Sequence, residues 1–230
     1  MDKDWEKIYD ELDMVQRDIV PVVREFPDYL LQQGKQAYVV LDHGCGMGKN
    51  AFFLTEAMSR HGVDVTVDAL DASQGALSIF QKVIEKSGLL KERPRAWINP
   101  RLHKASHLFP FDDGRFDGVL SVMALQHGLT SQIQEWSNDI ARVLSDGGLL
   151  CLAVASTEDP RYATGEELEP GTRIHTRQLD GHIPHHFFTD KEIEGDLFPG
   201  FQVLYKKFQH RPASKADVEA RDWEYILRKG

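Results

Sequence analysis

Asp42, Gly44, Gly46 and Gly48 fall on alternate positions of the stretch Leu41-Asp42-His43-Gly44-Cys45-Gly46-Met47-Gly48. A carboxylate followed by glycines at that spacing suits a turn that holds a polar ligand against bare backbone. Glycine takes positive φ and lets a ligand approach the chain closely. Val39-Val40-Leu41 before the turn and Ala51-Phe52-Phe53-Leu54 after it read as a buried strand and a helix start. Such a helix offers unpaired N–H groups and a positive dipole end at the carboxyl edge of the strand. A dinucleotide turn wants Gly-x-Gly-x-x-Gly. Here its third glycine position holds Lys49, and Gly48 comes one residue early. Asp42 has no pyrophosphate to serve; it suits a ligand carrying a cation, such as an ammonium or sulfonium group. Asp42, Gly44, Cys45, Gly46 and Gly48 are therefore the first candidate contacts.

A second acid follows. Val63 to Asp71 alternates and is β-branched, as a strand should be. Asp71 lies 23 residues past Gly48, near the spacing of about 20 at which an acid binds ribose hydroxyls after a glycine turn. Asp68 falls inside the strand rather than at its end, and Ser73 reads as the N-cap of the next helix. Further on, Phe116 to Leu125 is an apolar strand whose carboxyl end, with Ser121 and His127, faces the same crevice.

The remaining chemistry is concentrated in residues 156–195. This segment is polar and turn-rich, and it carries four of the ten histidines. Following a wholly apolar fifth strand, Leu149 to Ala155, it would hang over the crevice as a mobile, substrate-selecting lid. Arg161, Tyr162, His185 and His186 are its candidate substrate contacts. His182, His185 and His186 have the donor type for a transition metal. No Cys, Asp or Glu completes a clear ligand set, and Phe187-Phe188 beside them points to packing, so no metal is expected.

The elements that must position these groups alternate between strand and helix. Helices are expected over residues 4–19, from Pro21 to near Gly34, from Gly48 to His61, from Ser73 to Ser87 and from Ser131 to Leu144. Ser131 and Gln134 would box the start of the last, and Thr189 and Glu192 the start of a short helix. Ala96-Trp97-Ile98 is a third strand, interrupted at Asn99-Pro100, and Asp146-Gly147-Gly148 is a turn. Two alternating strands, Phe201 to Tyr205 and Trp223 to Leu227, close the chain.

Composition bounds the reading. A chain of 230 residues with 41% apolar and 27% charged residues suits one sizeable α/β domain. The net charge, 27 − 36 = −9, disfavours a nucleic-acid partner. Two cysteines make no disulfide framework and read as reduced thiols. Met1-Asp2-Lys3-Asp4-Trp5-Glu6 lacks the pattern of a signal peptide, and no run approaches roughly 18 apolar residues. A cytoplasmic protein with no membrane contact is expected.

Residues 41–48 resemble the first motif, Asp-Leu-Gly-Cys-Gly-x-Gly, of class I S-adenosylmethionine-dependent methyltransferases, with His43 in place of the common leucine. The resemblance extends over about residues 38–155. Asp71-Ala72-Ser73 is similar to the family's Asp-x-Ser, and Phe116 to His127 is similar to its Phe-Asp-x-Val-x-Ser-x-x-x-Leu-x-His. Residues 103–117 are similar to Gly-Asp-Ala-x-x-Leu-Pro-Phe-x-x-x-x-Phe-Asp, but Lys104 stands where an Asp usually holds adenine.

The resemblance implies a doubly wound, Rossmann-like α/β fold: a mostly parallel seven-stranded sheet, helices on both faces and a terminal antiparallel pair. It implies a single domain over 1–230, with helices of 1–34 over the cofactor. It implies S-adenosylmethionine as cofactor, held also by Ala72, Ala105, Ser106, Leu108, Ser121 and Tyr9. Trp5 would contact a small-molecule acceptor, and His127, where the transferable methyl group should point, would contact it or remove its proton. Two rival functions are a non-catalytic S-adenosylmethionine-binding regulatory module and a nucleotide-dependent oxidoreductase. Lys49 and Asp42 disfavour the second.

Overall fold

The computed structural model describes residues 19–87, 95–104, 107–175, 182–211 and 219–230. The expected helix over 4–19, with Trp5 and Tyr9, lies outside the described residues, as do Ala105 and Ser106. Strand β1 (Ala37–His43) is followed by α2 (Lys49–Arg60), β2 (Asp64–Asp71), α3 (Gln74–Ser87) and β3 (Ala96–Leu102). Helix α1 (Pro21–Leu31) precedes them. Then come β4 (Phe116–Val122), α4 (Thr130–Val143) and β5 (Leu144–Ala155). After the insert, β9 (Gln202–Arg211) and β10 (Ala220–Arg228) end the chain.

These strands form one seven-stranded sheet in the order β3-β2-β1-β4-β5-β10-β9. The first five run parallel, while β10 pairs antiparallel with both β5 and β9. The strand order reverses between β1 and β4, and that is where a doubly wound sheet opens its crevice. Apolar layers lie on both faces. Phe26 and Leu30 of α1, Leu54 and Met58 of α2 and Phe80 of α3 pack on one; Ile133, Trp136 and Ile140 of α4 pack on the other. Gly118 of β4 makes room for α1, since a Cβ there would sit 2.9 Å from the Phe26 ring.

Local details depart from the sequence expectations for physical reasons. Strand β3 continues through Pro100 because it is the sheet's edge, where a missing N–H costs no ladder bond on the open side. Strand β5 starts at Leu144, which pairs with Phe116, so Asp146-Gly147-Gly148 is an irregularity inside a strand, not a turn before it. The start of α4 is boxed by Gln132, whose Oε1 accepts from the Leu129 N–H at 3.2 Å, and not by Gln134. Thr189 Oγ1 does accept the Glu192 N–H, at 3.1 Å.

The insert is folded. A short 3-10 turn (Pro160–Ala163) leads to a small antiparallel sheet of β6 (Glu166–Glu169), β7 (Thr172–Ile174) and β8 (His185–His186). Main-chain bonds from Phe188 N to Ala155 O (2.8 Å) and from His186 N to Gln126 O (2.8 Å) stitch its second half to β5 and the β4 exit. Ile183, Phe187 and Phe188 are buried. Glu169 accepts from the Thr130 N–H and, at 2.8 Å, from its hydroxyl, so the insert supplies a cap for α4. Excising residues 160–186 would therefore remove core as well as lid.

One buried acid stands apart. Glu224 of β10 is fully buried beside α1, and among the described residues neither of its carboxylate oxygens has a partner at hydrogen-bond geometry, although the Val22 N–H faces it. Burial pushes its carboxyl up to about 7, against the pull of Lys207 across the strand pair.

Candidate functional site

The turn after β1 is held by main-chain bonds from Gly44 N and Cys45 N to Leu70 O, at 2.9 and 3.0 Å, and from Gly48 N to Cys45 O at 2.9 Å. Gly44, Gly46 and Gly48 all have positive φ, at 68°, 53° and 82°. Two of the three glycines are needed by the protein itself. A Cβ on Gly44 would lie 2.4 Å from Ala124 Cβ, and one on Gly48 would lie 2.0 Å from the buried Phe80 ring. Gly48→Ala should therefore act on the fold. Left-handed strain of roughly 1–2 kcal/mol adds to roughly 1–3 kcal/mol of overpacking. At about 2–4 °C per kcal/mol, the melting temperature should drop by roughly 4–20 °C in a calorimetric scan.

Asp42 lies one residue before the end of β1, 1% exposed, and among the described residues neither oxygen has a partner at hydrogen-bond geometry, although the Ala51 N–H faces it. Burial, then the neighbouring Asp71 charge, push its carboxyl up to about 7; the Ala51 N–H at the start of α2 and Lys49 act the other way. A buried acid with unmet acceptors beside a helix N-terminus and a glycine turn fits a ligand that brings its own cation. Asp71, at the end of β2, accepts from Gly46 N at 2.7 Å and Ser73 N at 2.8 Å. Each oxygen keeps further lone pairs for a diol. Ser73 caps α3 through the Ala76 N–H at 3.1 Å.

The other cofactor candidates divide by environment. Ser121 is buried, with its hydroxyl 3.2 Å from His43 Nδ1. The His43 ring lies 5.1 Å from Phe109 and 6.0 Å from Trp136. Burial, then His103, lower its pKa to about 4, so the residue that replaces the common leucine behaves as a neutral core ring. Burial holds the Cys45 thiol well above its usual range, which makes it a packing group rather than a nucleophile. Leu108 is 68% exposed. Its neighbour Phe109 is clamped to α4: Asp139 accepts the Phe109 N–H, and Arg142 donates to the Phe109 and Phe111 carbonyls at 3.1 and 2.8 Å. Nothing in the spacing of Asp139 and Arg142 announced that clamp.

Beyond β4 the chain turns through Met123, the one described non-glycine residue with positive φ, at 55°. Ala124 then meets Gly44, and Gln126 Oε1 accepts the Ala155 N–H at 2.9 Å. His127 stacks edge-to-face with His185 at 4.5 Å between centroids. His175, which the sequence did not single out, lies 6.1 Å from His185 and donates from Nε2 to the Arg161 carbonyl at 2.9 Å.

The four insert candidates do different work. The Arg161 guanidinium grips Asp159 through two bonds of 2.8 and 3.0 Å. Tyr162 packs 5.5 Å from Phe187 and lies under Arg173. His186 bonds Thr172 Oγ1 and Glu192 Oε1, each at 2.8 Å, so both its ring nitrogens serve the insert's own structure and neither is left for a substrate. His185 packs against His127. Among the described residues, no helix is long and apolar enough to cross a membrane.

Residues 40–148 match the family model of a methyltransferase domain. Among solved structures, the chain is similar to a SAM-dependent methyltransferase from Methanosarcina mazei, at 20% identity and a TM-score of 0.72 over 93% of this chain and 99% of that one. It is similar to 1,6-didemethyltoxoflavin-N1-methyltransferase from Burkholderia thailandensis, whose structure holds 1,6-didemethyltoxoflavin and S-adenosylhomocysteine. The identity there is 19% and the TM-score 0.65 over 99% and 86% of the two chains. A third similarity is to TehB of Haemophilus influenzae, at 14% identity and a TM-score of 0.65 over 98% and 67%.

Proposed function

We propose that this chain, whose residues 40–148 match the family model of a methyltransferase domain, is an S-adenosylmethionine-dependent methyltransferase that transfers a methyl group to a small-molecule acceptor. S-adenosylmethionine is its methyl donor, and when bound supplies an activated methyl on a sulfonium. The observation that carries the reading is Asp42, a buried acid that has no hydrogen-bond partner among the described residues, at the mouth of a glycine turn. In this reading Asp42 faces the donor's cationic part, and Asp71 accepts from its ribose hydroxyls. The Gly44 to Gly48 turn carries the rest, and Leu108 covers the adenine.

The acceptor would lie between the β4 exit and the insert, against His127, His185 and Tyr162. The insert beside the β4 exit is folded chain, with Ile183, Phe187 and Phe188 buried, which suits a small molecule better than a polymer. The similar Burkholderia enzyme binds 1,6-didemethyltoxoflavin, and a small-molecule acceptor fits the reading here. Holding acceptor and methyl in line supplies most of the rate in such transfers, because orientation can account for roughly 7–11 kcal/mol of a barrier. Buried Cys45 and Cys151, both free thiols, suit the reducing cytoplasm.

A thermal-shift series tests the donor. At a ligand concentration about 100 times the dissociation constant, binding adds about 2.7 kcal/mol, or roughly 5–10 °C for a chain of this size. S-adenosylmethionine and S-adenosylhomocysteine should give that rise and NAD none. Radiolabelled methyl transfer from S-adenosylmethionine into the low-molecular-weight fraction of a cell extract tests the acceptor class. Label appearing only in the polymer fraction would refute it.

A further inference from the structure

We propose that Asn50 is a further donor-binding residue, whose amide oxygen accepts a hydrogen bond from the primary ammonium of the donor's methionyl group. The inference rests on the donor reading above. It adds a residue to that site and names the cationic group that Asp42 faces.

Asn50 holds an odd place in α2. Gly48 is the N-cap of this helix, in the left-handed region, and has no side chain to cap with. Lys49 is the first helical residue and Asn50 the second. Phe52 N, bonding Gly48 O at 2.9 Å, closes the first turn. Asparagine suits an N-cap, where its oxygen accepts a backbone N–H, and it disfavours a helix beyond that point. Here it sits past the cap and does not act as one. Asn50 is 8% exposed, and its Oδ1 is buried with no hydrogen-bond partner among the described residues. Burying an amide oxygen without a partner costs stability. No described group of the protein uses that oxygen, which leaves it for a ligand at the glycine turn.

Asp42 brings the complementary atoms. Its carboxyl faces the N–H of Ala51, the residue after Asn50. Both its oxygens are buried without a partner at hydrogen-bond geometry. The start of α2 thus gathers three buried acceptor atoms, two from Asp42 and one from Asn50. A primary ammonium carries three N–H groups and no lone pair, which matches that set. The donor's sulfonium has a charge but no hydrogen to give, so it satisfies none of the three. An amide is also the acceptor that this place tolerates. The Asp71 charge already pushes the Asp42 carboxyl up. Another carboxylate at position 50 would push it further and oppose its ionisation. An amide oxygen adds an acceptor without adding charge.

Asn50→Ala tests the proposal with three ligands. They are S-adenosylhomocysteine, its decarboxylated analogue, which keeps the ammonium, and its deaminated analogue, which keeps the carboxylate. An amide can present either its oxygen or its NH2 to a ligand, and the two single-charge analogues tell these apart. In calorimetric titrations of the full chain, Asn50→Ala should weaken the first two alike, by about 10- to 150-fold, the range for a lost hydrogen bond to a charged group. Its affinity for the deaminated analogue should stay within about threefold of wild type, which also reports an intact fold. The melting temperature of the ligand-free variant should not fall, because an unmet buried oxygen is removed and alanine is the better helix former. Unchanged affinity for all three ligands overturns the proposal. So does a penalty on the deaminated analogue that spares the decarboxylated one, since the amide then serves the carboxylate. An equal penalty on all three with a lower melting temperature overturns it too, because Asn50 then acts through the fold. If the wild-type chain binds none of the three, the donor reading itself fails, and the proposal with it.

Discussion

Asp71→Ala should weaken S-adenosylmethionine binding by more than about 150-fold, more than a ribose contact alone would cost. Hydrogen bonds to a charged acceptor are worth roughly 1.5–3 kcal/mol, which accounts for about 10- to 150-fold when the ribose hydroxyls lose their partner. Asp71 does a second job: its carboxylate holds the Gly46 N–H at 2.7 Å and the Ser73 N–H at 2.8 Å. Truncation also releases the turn that the donor must rest on. Asp71→Asn, which keeps one acceptor oxygen, should fall between the two. Calorimetric titration of folded variants decides it, and an unchanged dissociation constant in Asp71→Ala would remove Asp71 from the site.

Asp42→Asn should abolish a pH dependence as well as weaken binding. The folded, donor-free chain keeps the Asp42 proton up to about pH 7, far above the ordinary value of 3.8. A cationic ligand needs the ionised form, so affinity should climb as pH rises through about 7 and level off above it. The Asn variant should be weaker by roughly 10- to 150-fold at high pH and nearly flat with pH. Stability carries the same group with the opposite sign for the donor-free protein. Between about pH 4 and 7 the folded state holds a proton that the unfolded chain releases, so stability falls as pH rises through that window. Glu224, raised to about 7 by burial, adds a slope of the same sign, so Asp42→Asn should flatten the fall only in part. Affinity that is flat with pH in the wild type would refute the assignment of Asp42 to the ligand's cation.

The parts legible in the sequence were those where a local rule and the global fold demand the same residue. Asp42 and the alternate glycines marked the β1 turn, and Ser73 marked a helix start that its hydroxyl does cap. The apolar run of Leu149 to Ala155 marked a strand buried on both faces, and Trp223 to Leu227 marked the antiparallel partner it pairs with. What escaped was set by groups distant in sequence. Pro100 read as an interruption because nothing local says that β3 is an edge. The cap of α4 comes in part from Glu169, far down the chain. His186 looked equivalent to His185, and only the positions of Thr172 and Glu192 separate a structural imidazole from one beside His127. Gly44 and Gly48 take the positive φ expected of a glycine turn, but the sequence did not show that their missing Cβ atoms also make room for Ala124 and Phe80.

The contact between Gly44 and Ala124 has a bearing on attempts to retarget such an enzyme. Because the donor turn and the β4 exit touch with no room for a single methyl group, a library that varies residues 123–127 would drag donor affinity along with acceptor choice. The hairpin of β6 and β7 is tied to the body by Glu169 at the start of α4, by the pairing of β7 with β8 and by the bond from Phe187 N to Gly171 O. Grafts that keep Glu169, Thr172 and His186 should transplant a new acceptor preference without re-optimising the donor half.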